Sequence, residues 1–113
     1  MAKEAVFVQI GDTIDYANSG DADIAVGDVV PLVSRIGVAL ENIAQGEVGG
    51  VRLVGVFEMP AEAGVDLTFA VGDLLYWDAT NSVLTKTETG NTPAGMAVSV
   101  KAATEATALV RIG

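Results

Sequence analysis

Ala25-Val26-Gly27-Asp28-Val29-Val30-Pro31-Leu32-Val33-Ser34 is written a second time, with changes, as Ala70-Val71-Gly72-Asp73-Leu74-Leu75-Tyr76-Trp77-Asp78. In each copy a Gly-Asp turn launches an apolar run. Each copy is later followed by Gly, an apolar residue, Ala and a second apolar residue: Gly37-Val38-Ala39-Leu40 and Gly95-Met96-Ala97-Val98. Each ends in a strand-like run carrying Val-Arg and an apolar residue, at Val51-Arg52-Leu53 and Val110-Arg111-Ile112. The chain reads as one strand-rich unit used twice, with half-repeats at about 25–55 and 70–113.

Short strands surround the two copies. Thr13 to Tyr16 alternates polar and apolar residues, the mark of a strand with one wet face. Ala17 to Asp21 is loop chemistry, with positive φ expected at Asn18 and Gly20. Pro31 cannot donate to a ladder, so its strand belongs at an edge or breaks there. Ile36 to Leu40 is a short strand, and Glu41 to Gly46 holds at most one helical turn. Val51 to Phe57 reads as one strand buried on both faces, with Gly55 as a bulge or a close-packing point. Val65 to Phe69 is a further short strand. The second copy carries an insertion that reads as a hairpin: a strand to Trp77, a turn over Asp78 to Ser82, and a return over Val83 to Thr87. Gly95–Val100 and Thr107–Ile112 are the last two strands. Such spacing, with Gly-marked turns and no long 3.6-residue period, predicts an all-β fold. The expected form is a small barrel or sandwich of short strands with an internal duplication and little or no helix. We assign residues 1–113 to one domain, with residues 1–10 as a candidate N-terminal arm.

At 113 residues, half of them apolar, the chain is long enough to bury a core. It contains no cysteine and no histidine. Disulfide staples, Cys/His zinc sites, thiol nucleophiles and histidine acid–base chemistry are therefore excluded. The net charge of −9 opposes binding to phosphate backbones. The cations Lys3, Arg35, Arg52, Lys86, Lys101 and Arg111 are scattered, with no basic stripe. Nucleic acid is not an expected partner. No apolar run approaches the ~20 residues of a membrane helix, and the start lacks a signal-peptide core. We expect a soluble protein made in the cytoplasm.

The acidic residues Asp12, Asp15, Asp21, Asp23 and Asp28 invite a metal reading, but their spacing does not follow an EF-hand loop. Asp12, Asp21, Asp28 and Asp73 each follow a glycine, where a short acceptor closes a turn. No Gly-x4-Gly-Lys-Ser/Thr phosphate loop occurs. Ser19, Ser34, Ser82 and Ser99 have no activating base. We expect no catalytic residue, metal or cofactor, and no enzyme.

Tyr76 and Trp77 are adjacent, so on a strand their rings point to opposite faces. One fills the core; the other lies on a second buried layer or at an interface. Phe7 and Tyr16 raise the same question. The interface candidates are Val6, Phe7, Val8, Tyr16, Tyr76 and Trp77. Most terminal strands pair locally, which favours Val6 and Phe7 in the protein's own sheet. The rival reading is an arm that adds a strand to a neighbouring subunit.

Taken in order, Gly11-Asp12-Thr13-Ile14-Asp15-Tyr16, the Ala-Val-Gly-Asp turn, Ile36-Gly37-Val38-Ala39 and the run from Gly46 to Pro60 resemble a known family. Gly72-Asp-Leu-Leu-Tyr-Trp-Asp78 and Thr89-Gly-Asn-Thr-Pro-Ala-Gly-Met-Ala97 extend the likeness over roughly residues 6 to 113. The chain resembles the small phage capsid cement, or decoration, proteins of the DUF2190 family. Prophage-encoded members have been labelled RecA/RadA-type recombinases, a label for which this chain holds no phosphate loop. The resemblance implies a non-enzymatic β protein that binds the outside of a phage head and reinforces it. It implies the major capsid protein as partner, a homotrimer, and a place on the virion exterior. The rival class is a small ligand- or carbohydrate-binding β module that stacks sugars on Tyr76 or Trp77.

Overall fold

The computed structural model describes residues 4–113; Met1 to Lys3, the first part of the expected arm, lie outside the described residues. Among the described residues there is no helix. The strands are β1 (Thr13–Ala17), β2 (Val29–Pro31), β3 (Ile36–Ala39), β4 (Val48–Arg52), β5 (Gly55–Pro60), β6 (Leu74–Asp78), β7 (Val83–Thr85), β8 (Thr92–Ala97) and β9 (Thr107–Ile112). They form two antiparallel sheets, ordered β1-β4-β3-β2 and β5-β9-β8-β6-β7. The fold is all-β, as the turn spacing predicts.

The two sheets have the same order, strand for strand, until the inserted β7. The turns that launch them share their hydrogen bonds. Gly27 N–H donates to Ala39 O at 2.8 Å, and Ala39 N–H to Asp28 O at 2.9 Å. Gly72 N–H donates to Ala97 O at 2.8 Å, and Ala97 N–H to Asp73 O at 2.9 Å. Asp28 Oδ2 accepts from Ala25 N–H at 2.9 Å and Asp73 Oδ2 from Ala70 N–H at 2.8 Å. The carboxylates close their own turns, which is why Asp follows Gly in both copies. β1 and β5 hold the same sheet position, so the likeness reaches upstream of residues 25 and 70.

Pro31 ends β2, an edge strand, where a missing N–H costs no ladder bond. β7 swings back toward β5 but makes one parallel bridge, Ala61 to Leu84, and Glu62 N–H donates to Leu84 O at 3.1 Å. The sheet curls without closing into a barrel.

Two clusters of buried side chains hold the sheets. The larger takes Met59, Leu75, Trp77, Leu84, Val110 and Ile112 from the second sheet and Ile36 and Val38 from β3. The smaller gathers Val30, Ala39, Ile43 and Val51 within the first half, with Ile14, Tyr16 and Leu53 packed against it. β3 is therefore buried on both faces. The radius of gyration is 15.6 Å, against about 13 Å for one spherical core of this length. The excess reflects two cores with an arm outside both.

Four local expectations change. The strand expected over 51–57 is two strands in different sheets. β4 ends at Arg52, whose Nε donates to Val54 O at 2.8 Å, and Gly55, at φ 144°, redirects the chain. Val65–Phe69 is mainly a turn, with Leu67 N–H donating to Gly64 O at 3.2 Å and Phe69 alone bridging Lys101. Ala5–Gln9 joins no strand. Asn18 and Gly20 do not take positive φ. Asn18 is buried instead, and its Nδ2 donates to Ile43 O at 3.0 Å and Ala22 O at 2.9 Å.

Candidate functional site

The acidic residues are spread over separate turns. Asp23 Oδ1 accepts from Gln45 N–H at 3.0 Å, and Asp28 and Asp73 close the launching turns. Among the described residues no three His, Cys, Asp or Glu side chains gather as metal ligands. Asp78 sits at the β6–β7 turn. Hydrogen bonds from the Asn81 side chain and backbone hold its carboxyl below its ordinary pKa, with a smaller contribution from Thr80 N–H. That is turn chemistry.

Surfaces are more informative. Alternate residues of β5, β6, β8 and β9 turn away from the larger core. Leu74 pairs with Met96, Met96 with Arg111, and Arg111 with Val56. These four form one row across the outside of the second sheet. Leu74 is 67% exposed, Val56 57% and Met96 38%. Beside the row lies a shallow concavity of about 390 Å³, lined by Leu74, Tyr76, Pro93, Met96, Arg111 and Glu88. The equivalent positions of the first sheet are Val29 and Val38, which are paired with each other and packed into the larger core. The same register position is thus covered in one copy and open in the other.

The aromatic pair divides as strand geometry requires. Trp77 is buried, 6% exposed, and belongs to the larger core. Tyr76 lies half-buried on the outer face beside the concavity. Tyr16 is half-buried against the smaller core. Val6, Phe7 and Val8 lie outside any strand, 74–85% exposed, with Ile10 at 83%. Tyr76 therefore shares a surface with Leu74 and Met96, whereas Val6, Phe7 and Val8 belong to a separate extended segment. Reasoning from sequence missed Leu74, Met96, Val56 and Ile10. Leu74 and Met96 sit on opposite parity from the buried Leu75 and Ala97, a signal that needs the covered face to be known.

Lys101 is a cation that its sequence context does not flag. It is 1% exposed, and its Nζ donates to Leu67 O at 2.6 Å and Ala102 O at 3.1 Å. The ammonium lies 5.2 Å from the centre of the Phe69 ring. Its donors are spent on the protein's own backbone, so it is a structural residue.

Compared with known proteins, residues 8–112 match the family model described as phage cement protein. No curated protein and no solved structure matches the chain.

Proposed function

The chain belongs to the phage cement protein family, and from that premise we propose that it is a non-enzymatic decoration protein bound to the outside of a phage head. The family is structural and associated with the phage capsid, which makes the chain a virion component. Our reading goes further. The partner is the major capsid protein, the chain acts as a homotrimer, and it is made in the host cytoplasm before it joins the head. The observation that carries the reading is the match over nearly the whole chain.

The geometry supports it. A clamp at junctions between shell subunits needs exposed apolar area, because burial there stabilises the assembled state by mass action. The row Leu74-Met96-Arg111-Val56 with Tyr76 offers that area on a rigid sheet. We assign this face to the shell. The row holds one cation, Arg111, and no carboxylate, while the chain as a whole carries −9, so this face is less acidic than the chain's average.

The test is co-sedimentation of the purified protein with heads that lack it, followed by imaging of the added density. Stoichiometric retention is expected. Leu74→Asp with Met96→Asp should weaken it at least tenfold, about 1.4 kcal/mol, with the thermal transition little changed. No retention of the wild-type protein overturns the reading. A saccharide titration followed by tryptophan fluorescence should give no change, because Trp77 is in the core.

A further inference from the structure

Among the described residues no strand or bridge touches the outer edge of β1. The free groups on that edge have a fixed parity. Leu53 N–H donates to Asp12 O at 2.7 Å and Asn18 N–H to Glu47 O at 2.9 Å. In an antiparallel ladder the even-numbered residues between them bond to β4, so Thr13, Asp15 and Ala17 turn their N–H and C=O groups outward. Directly before this edge stands a strand-like segment that joins no sheet, Ala5-Val6-Phe7-Val8-Gln9-Ile10. Val6, Phe7, Val8 and Ile10 are 74–85% exposed.

The joint between segment and edge is Gly11-Asp12. Gly11 has φ 85°, and Asp12 does not take positive φ. Positive φ at the first of two loop residues, and not at the second, is the type II′ pattern, whose twist suits a two-residue hairpin. The parity of β1 agrees. A two-residue loop makes its flanking residues a hydrogen-bonded pair. Here these are Ile10 and Thr13, and Thr13 already turns its groups outward. In that register Val8 meets Asp15 and Val6 meets Ala17, each at a residue with free groups. Between them Gln9 meets Ile14 and Phe7 meets Tyr16. Val6 to Ile10 thus covers the whole of β1, Thr13–Ala17. Ile14 and Tyr16 lean on the smaller core and are only half-buried. Phe7 would lie beside Tyr16 on that side and extend the cluster.

We propose that residues 6–10 are a strap that closes on β1 of the same chain as a type II′ hairpin, adding a fifth strand to the four of the first sheet. The structure holds the strap open. No neighbour crowds its joint, since a Cβ on Gly11 would meet nothing within 4 Å. Closure takes the outward N–H and C=O groups of Thr13, Asp15 and Ala17 out of reach of foreign strands. It also removes Phe7, 81% exposed when open, from water. Val6, Val8 and Ile10 then stand in line with Ala17, Asp15 and Thr13, on the face turned away from the smaller core. The strap is a property of the single chain and does not depend on capsid binding.

The chain has no cysteine, so introduced thiols report closure cleanly. The hairpin puts the Cα atoms of residues 8 and 15 about 5.5 Å apart, within disulfide reach. Val8→Cys with Asp15→Cys in one chain, oxidised at a dilution that keeps chains apart, should form an intrachain disulfide. The control is Phe7→Cys with Asp15→Cys, whose side chains the hairpin sends to opposite faces. It should cross-link at least tenfold more slowly. Adding Gly11→Val to the first pair should slow it at least tenfold, through φ alone, because the space at Gly11 is open. Hydrogen exchange of the wild-type protein gives a readout that no substitution can disturb. Closure predicts alternation along the strap: the amides of Val6, Val8 and Ile10 exchange at least tenfold more slowly than those of Phe7 and Gln9. Equal cross-linking rates for the two pairs overturn the strap, as does a disulfide formed only between chains. Exchange without alternation overturns it too, and so does a Gly11→Val chain that cross-links as fast as its parent.

Discussion

Beside the first Gly-Asp turn, Ile24 bridges Ile43; beside the second, Phe69 bridges Lys101. The backbone hydrogen bonds around the two sites are the same, and the side chains are not. One end is sealed by two aliphatic residues. The other is sealed by an aromatic ring, with an ammonium that spends its donors on two carbonyls. The difference teaches that the repeat is held by its turns and ladders, and that side chains diverge wherever the backbone stays satisfied. The same contrast appears twice more. Val29 and Val38 are covered where Leu74 and Met96 are open. Just past β5, Ala61 bridges Leu84, whereas among the described residues nothing bridges the outer edge of β1.

The largest test of that equivalence lies in the paired glycines, Gly37 opposite Val30 and Gly95 opposite Leu75. A Cβ at Gly95 would fall on the Arg111 carbonyl oxygen, at a φ of 156°. A Cβ at Gly37 would meet first a methyl of Val51, then Arg52 O at 3.1 Å. Backbone cannot step aside as a side chain can. Gly95→Ala should therefore cost about 4 kcal/mol, and Gly37→Ala about 2 kcal/mol, by urea denaturation. Equal costs would break the argument that one copy is tighter at this point.

Next comes the exchange of Ile for Lys. Lys101→Ala should cost about 3 kcal/mol, from lost stem packing and two carbonyls left without their donor. Lys101→Met keeps the packing and should cost about 1.5 kcal/mol. If Met is as damaging as Ala, the polar contacts dominate. If Met is neutral, the aliphatic solution of the first copy works equally well in the second.

The smallest effect is the most diagnostic of symmetry. Asp28→Ala and Asp73→Ala each remove one exposed turn hydrogen bond and should cost about 1 kcal/mol apiece. Asp73 also lies 3.6 Å from Lys86 in a partly exposed pair, which adds at most a few tenths. A clear inequality in thermal unfolding would mean that the matching hydrogen bonds bear unequal shares of the fold.

Much of this was legible in the residues. Gly27-Asp28 and Gly72-Asp73 announced their turns because glycine's positive φ and a short acceptor act within four residues. Pro31 announced an edge, since a missing N–H is a local fact. The Trp77 hairpin was legible from its turn residues. The apolar arm was not: Ala5–Gln9 has strand composition, and composition does not say whether a partner strand is present. Lys101 was not legible either, because its acceptors, Leu67 O and Ala102 O, are brought to it by the fold. Of the surface around Tyr76, sequence reasoning found one residue and missed Leu74 and Met96.

The sequence by itself determined the class of fold, the duplicated turns and the absence of histidine and cysteine chemistry. Those follow from conformational preferences and residue inventories that need no neighbour. Only the tertiary structure decided which face of each strand is covered, where the chain leaves one sheet for the other at Leu53–Val54, and that, among the described residues, β1 is a sheet edge. Burial and edge pairing are set by what packs across the gap, and residues far apart in the chain supply it.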